Sequence, residues 1–226
     1  MSNYIDKSVN VITFAGYTGG GILCDILNLE SSQIGPWNNI KNPKHNLGKI
    51  DTENWHTGKG FNLDIFYEKI KRNSANIAYK NKKQWVGTHC WPGAFDTTIF
   101  DNVLNITTES RMSKIYRFAR VFYASLHGQF PDWEHKQDKK TKPKLIENIV
   151  EFNQPFERVN KPNVTNMEFE HLVDFNDTFK SIIFQFLDKE YVKHLEKRIT
   201  VWKELNNFLY DEKLDTIIKL WDEHNL

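Results

Sequence analysis

The sequence predicts a three-layer α/β domain, with a mostly parallel central sheet and helices on both faces. Three observations predict it. An apolar strand segment runs through a glycine-rich turn into a helix; short apolar runs alternate with amphipathic helical stretches; and 226 residues suit one domain that buries its own core. Strands buried on both faces read as continuous apolar runs, and parallel sheets are built from such strands. The whole chain, 1–226, is read as a single domain with a long loop or lid over 127–162.

The elements follow in order. Val9 to Ala15 (VNVITFA) is a short, β-branched strand segment, broken by Gly16-Tyr17-Thr18-Gly19-Gly20-Gly21. Ile22, Leu23, Ile26 and Leu27 then share one face at helical spacing, so the turn feeds a helix. A short second strand is expected at Gln33-Ile34-Gly35, ended by Pro36, and a long surface connection at Asn38 to Gly60. Leu63, Phe66 and Ile70 form a helical stripe. Gln84 to Cys90 (QWVGTHC) reads as a strand closed by Trp91-Pro92-Gly93, and Val103 to Thr107 (VLNIT) as another. Arg111 to Leu126 reads as a helix with Ile115, Phe118, Phe122 and Leu126 inward, and with Lys114, Arg117 and Arg120 along a basic side. Periodicity then fails until Val164 to Leu172, read as a strand. Three amphipathic helices close the chain, marked by Phe179 to Leu187, Leu195 to Leu209 and Leu214 to Trp221.

Composition excludes several classes. Lys plus Arg (30) nearly balance Asp plus Glu (29), so no global field draws the chain to nucleic acid or an anionic membrane, and any anion site is local. No apolar run of ~18 residues predicts a membrane span, and Met1 to Lys7 lacks the apolar centre of a signal peptide. Two cysteines, Cys24 and Cys90, make no disulfide framework, and a cytoplasmic, reducing location is expected. His45, His56, His89 and Cys90 show no metal-ligand spacing, and no metal is expected.

The chemistry concentrates at the glycine turn. A tight turn between a buried strand and a helix leaves the first helical amides without intrahelical partners, and the helix dipole adds partial positive charge there. Gly19, Gly20 and Gly21 would let the backbone approach a phosphate or sulfate closely, and Thr18 adds a hydroxyl. The stretch is neither GxxxxGK[ST] nor GxGxxG, because Ile22 and Leu23 follow Gly21. Read alone, it is equally a glycine turn that holds no ligand.

Laid without gaps on the sulfotransferase phosphosulfate loop, a strand followed by Lys-Ser-Gly-Thr-Thr and an apolar helix, Phe14 to Leu27 resembles that family. Thr18 takes the serine place and Gly19 the glycine place, Gly20 and Gly21 replace the two threonines, and Tyr17 stands where the family has lysine. Thr88-His89 with Pro92 is similar to the family's strand ending in Thr-His-x-x-Pro, which carries the catalytic base. Val103 to Thr107 followed by Ser110-Arg111-Met112-Ser113 resembles the strand and helix start that hold the cofactor's 3′-phosphate, with Thr108-Glu109-Ser110 in place of Arg-Asn-Pro. Met167 to Val173 resembles the family's strand ending in Tyr-Glu-Asp-Leu. The family's C-terminal basic nucleotide loop has no counterpart here. The wording GYTGGGILC, GTHCWPG and VLNITT is similar to a divergent sulfotransferase-like group found in marine bacteriophages.

The resemblance implies a P-loop-like sulfotransferase fold and transfer of a sulfuryl group from 3′-phosphoadenosine 5′-phosphosulfate to a hydroxyl or amine of a small-molecule or glycan acceptor. It implies His89 as general base; Tyr17, Thr18, Gly19, Gly20, Gly21 and Ile22 around the phosphosulfate; and Arg111, Ser113 and Arg117 at the 3′-phosphate. The missing lysine leaves three possibilities open: a cation from the 38–60 connection (Lys41, Lys44 or Lys49) fills its place, the reaction is slow, or the site binds without catalysing. Trp37, Trp91 or Trp133 would stack on adenine or shape an acceptor pocket. The alternatives are a non-catalytic binding or structural protein of the same fold, virion-associated in one form, and a small-molecule kinase, which the missing Walker lysine disfavours.

Overall fold

The computed structural model describes residues 9–29, 84–88, 91–126 and 156–223. The expected strand at 33–35, the stripe of Leu63, Phe66 and Ile70, the 38–60 connection and most of the 127–162 loop lie outside them, as do His89, Cys90, Trp37 and Trp133.

Among the described residues four strands form one sheet: β1 (Val9–Phe14), β2 (Gln84–Thr88), β3 (Val103–Thr107) and β4 (Val164–Glu168), in the order β2-β1-β3-β4. Every pairing is parallel, with Thr13 opposite Thr88, Val11 opposite Val103 and Val103 opposite Val164. Successive residues of a strand face opposite sides of the sheet. Asn10 to Phe14 and all of β3 are buried, so the centre of the sheet is covered on both faces. The α/β class therefore stands.

Among the described residues six α-helices accompany the sheet: α1 (Gly20–Leu27), α2 (Arg111–Leu126), α3 (Phe169–Asp174), α4 (Asp177–Ile183), α5 (Val192–Leu205) and α6 (Glu212–Glu223). Asn28, just past α1, returns to β2: its Nδ2 donates to the Trp85 carbonyl and its Oδ1 accepts from the Trp85 amide, both at 2.9 Å. The side chain thereby satisfies both backbone groups of Trp85 as a ladder partner would.

Two sequence expectations are corrected. The run Val164 to Leu172 is not one strand: β4 ends at Glu168 and α3 begins at Phe169. Its alternation of Met167, Phe169 and polar residues mimics a strand, but Phe169, Leu172 and Val173 are all buried at helical spacing. Second, Arg117 and Arg120 do not line a solvated basic side of α2. They are 0% and 6% exposed, on the inward face of the helix.

The bend between β1 and α1 is tightly packed. Gly19, the N-cap of α1, has φ +79°, and a Cβ there would lie 2.5 Å from Leu172 Cδ2 and 3.0 Å from the Trp202 ring. A Cβ on Gly20 would lie 2.1 Å from the Phe14 ring. Gly19→Ala therefore meets both a left-handed backbone penalty and overpacking, and is expected to cost about 2–4 kcal/mol. Urea unfolding of the two proteins measures it; a variant as stable as the parent would contradict this packing.

Candidate functional site

The carboxyl ends of β1, β2 and β3 converge on the bend. The chain leaves β1 for β2 on one side and then crosses to β3 on the other, so β1 ends at a switch in strand order, where open α/β sheets leave a crevice. Thr88, the last residue of β2, pairs with Thr13, one residue before Phe14 at the end of β1. The residue that follows Thr88 in the sequence is His89.

Four carbonyl oxygens at the bend have partners. Ala15 O accepts from the Thr18 hydroxyl (2.7 Å) and amide, Gly16 O from Arg117 Nε (3.1 Å), Tyr17 O from an Arg120 terminal nitrogen, and Gly19 O from the Leu23 amide (3.3 Å). The amides of Gly20, Gly21 and Ile22 have no acceptor among the described residues, although all three residues are buried. Three consecutive orphan donors at a helix start form the arrangement that binds an oxyanion, and their burial strengthens each hydrogen bond they make.

Tyr17 and Thr18 have distinct parts. Tyr17 lies in the left-handed region (φ 70°) and is half-buried. Desolvation pushes its phenol up to about 12 against the opposing charge of Arg120, so it stays protonated and brings no charge to the bend. Thr18 is fully buried and its hydroxyl closes the turn onto Ala15.

The arginines lie beneath. Arg120 also donates from Nε to Asn206 Oδ1 (2.9 Å), and its guanidinium sits 4.6 Å from the centre of the Trp202 ring. Burial pushes Arg117 down to about 10 and Arg120 to about 9, so both remain cationic at neutral pH. Trp202 Nε1 donates to the Tyr210 hydroxyl, which donates to Val173 O (2.7 Å), tying α5 and the segment after it to α3 under the bend.

Arg111 and Ser113 have partners away from the bend. Arg111 pairs with Asp222 of α6 at 2.6 Å, both more than half exposed. Ser113 is buried; its hydroxyl accepts from the Glu170 amide and its amide donates to Ser110 Oγ. Trp91 donates from Nε1 to Glu157 O.

Two features escaped sequence reading. Thr88, Thr13, Asn105 and Asn166 are aligned across all four strands as a polar row. Thr13 donates to Asn105 Oδ1 (2.9 Å), and Asn105 Nδ2 donates to Asn166 Oδ1 (2.8 Å) and to Glu157 O. The only sequence signal was an Asn inside VLNIT, read as part of an apolar strand. The second feature is Glu168, 5% exposed at the end of β4, which accepts from the Thr107 hydroxyl (2.8 Å) and the Ser110 amide, with Arg158 at 3.6 Å.

Among the described residues no His, Cys, Asp and Glu group could hold a metal ion, and no helix is long and apolar enough to cross a membrane. The arrangement defines a parallel α/β protein with a glycine bend at its switch point, where three helix-start amides have no acceptor among the described residues. Comparisons with protein families, with curated proteins and with solved structures bring no match.

Burial raises the Glu168 carboxyl, but hydrogen bonds from Thr107, Ser113 and Ser110 and the charge of Arg158 outweigh it, so its pKa falls below the usual carboxylate value. A depressed carboxylate contributes stability that is complete above the unfolded pKa and lost as pH falls through the folded one. Glu168→Gln should therefore destabilise by about 1–3 kcal/mol at neutral pH. The difference should fade as pH drops below ~4. Unfolding midpoints across that range check it, and a pH-independent difference would refute it.

Proposed function

We propose that the chain is a sulfotransferase-like enzyme that binds 3′-phosphoadenosine 5′-phosphosulfate at the Gly16–Ile22 bend and passes its sulfuryl group to a hydroxyl or amine acceptor. One observation carries the reading: three buried amides, those of Gly20, Gly21 and Ile22, stand without acceptors at the switch point of a parallel sheet. They suit the oxyanion end of such a donor and nothing apolar.

When bound, the donor supplies an activated S–O bond and a stable bisphosphate leaving group. The chain's part is positioning and electrostatics. The amides would hold the phosphosulfate oxygens and stabilise the charge that develops on the bridging oxygen. His89, directly after β2 in the sequence, would take the proton of the acceptor hydroxyl as that oxygen bonds to sulfur and the S–O bond to the bisphosphate breaks, a role suited to an imidazole. Of the three residues assigned to the 3′-phosphate, Ser113 is engaged with the β4–α3 junction and Arg117 with the Gly16 carbonyl, so Arg111 has the guanidinium that can be redirected. Its exposed pair with Asp222 is the kind worth about 0–1 kcal/mol, which a phosphate displaces readily.

A second reading, a non-catalytic protein on the same architecture, has its own support. No cationic side chain lies in Gly16 to Ile22, and Leu172, Trp202 and Phe14 pack closely against the bend.

Calorimetry with 3′-phosphoadenosine 5′-phosphate separates the two. The enzymatic reading expects saturable binding, and expects His89→Ala to abolish turnover of the phosphosulfate while binding persists. Absence of binding at millimolar ligand leaves only the architecture.

A further inference from the structure

Neutral loops bind anions weakly unless charge is supplied from nearby, and Gly16 to Ile22 contains no Lys or Arg. Two guanidiniums nevertheless reach it from α2. Arg117 and Arg120 lie three residues apart, on one side of the helix, and donate to consecutive carbonyls, those of Gly16 and Tyr17. Each carbonyl shares its peptide group with the next residue's N–H, so the two arginines fix the Gly16–Tyr17 and Tyr17–Thr18 planes immediately before the helix start. Both are buried, so their charge is poorly screened by solvent.

We propose that Arg117 and Arg120 are positioning residues for anion binding at the bend: they hold its carbonyls away from the crevice and supply from beneath the positive charge the loop itself lacks. Neither touches the ligand. The inference rests on the bend being an anion site. It assigns Arg117 a different part from contact with a 3′-phosphate, since its Nε is already on Gly16 O.

The arrangement also has a defined support. Arg120 is held by Asn206, whose Nδ2 donates to Trp202 O, and by the face of Trp202, whose ring edge abuts Gly19. The charge under the bend is thus anchored in α5 and the residues just past it.

The test uses the full chain and inorganic pyrophosphate, with affinity from calorimetry and with folding checked by circular dichroism. Arg117→Met and Arg120→Met that remain folded are expected to weaken pyrophosphate at least tenfold, whereas Arg117→Lys, which keeps the charge, stays within about threefold of the parent. A purely structural role would lower the melting temperature of both Arg117 variants while leaving their affinity unchanged; that outcome overturns the inference and spares the anion site. If the parent chain itself fails to bind pyrophosphate, the reading of the bend as an anion site falls, and this one with it. Should the Met variants not fold, Arg117→Lys and Arg120→Lys decide: folded protein with affinity lost more than tenfold refutes the claim that charge is what matters.

Discussion

A chain that passes from a buried strand into a buried helix must find partners for backbone groups at a place where neither ladder continues. At Gly16 to Ile22 this need is met unevenly. The carbonyls of Ala15, Gly16, Tyr17 and Gly19 are satisfied within the fold, two of them by guanidiniums, whereas the amides of Gly20, Gly21 and Ile22 are not satisfied by any described residue. Buried orphan amides cost ~1–3 kcal/mol each, so an arrangement with three in a row is tolerated where something else repays it. Much of the surrounding packing serves this one bend: Phe14 lies against Gly20, Leu172 and Trp202 against Gly19, and Arg117 and Arg120 against the carbonyl side.

The same edge of the sheet carries a polar row inside an otherwise apolar core. Thr13, Asn105 and Asn166 pair side chain to side chain, and Asn105 and Asn166 extend to the backbone of Glu157 and Val159. With Phe156 bonded through both backbone groups to Thr108, the stretch 156–159 is held beside β3 and β4 by ladder-like bonds without being a strand. Each polar group of this set finds a partner, which is the condition under which a buried network rigidifies a fold rather than weakening it. The row therefore fixes strand register as firmly as the apolar pattern does: a one-residue slip would send Asn105 to the opposite face.

How far the sequence revealed this depends on where the information is local. β3 and α2 end where their patterns predict, because VLNIT is bounded by polar residues and Arg111 to Leu126 keeps a helical apolar stripe. The β1–bend–α1 unit was equally legible, since glycines interrupt an apolar run. The β4–α3 junction was not, because the switch at Glu168 carries no Gly or Pro and the run MEFEHL alternates over its first residues. Nor were the two buried arginines legible. At helical spacing with Lys114 they look like one charged stripe, and only the bend's carbonyls and the Trp202 face, contributed from positions about a hundred residues before and eighty residues after α2, make their burial tolerable. The candidate site was therefore visible as a glycine turn and invisible as an electrostatic unit.

That difference bears on the proposed anion site, a bend without a cation of its own. Moving a guanidinium out of water costs several kcal/mol, and hydrogen bonds to neutral carbonyls recover it only in part. Arg120 adds Asn206 and the Trp202 face, a cation–π contact worth ~2 kcal/mol when desolvated. A side chain reaching into the crevice can follow its ligand, whereas charge placed under the backbone cannot move and needs no reorganisation when an anion arrives. Such preorganised charge is the form of electrostatic stabilisation that acts most strongly in a water-poor site. It also makes the bend dependent on α5, because Trp202 is at once the wall behind Gly19 and the surface on which Arg120 rests.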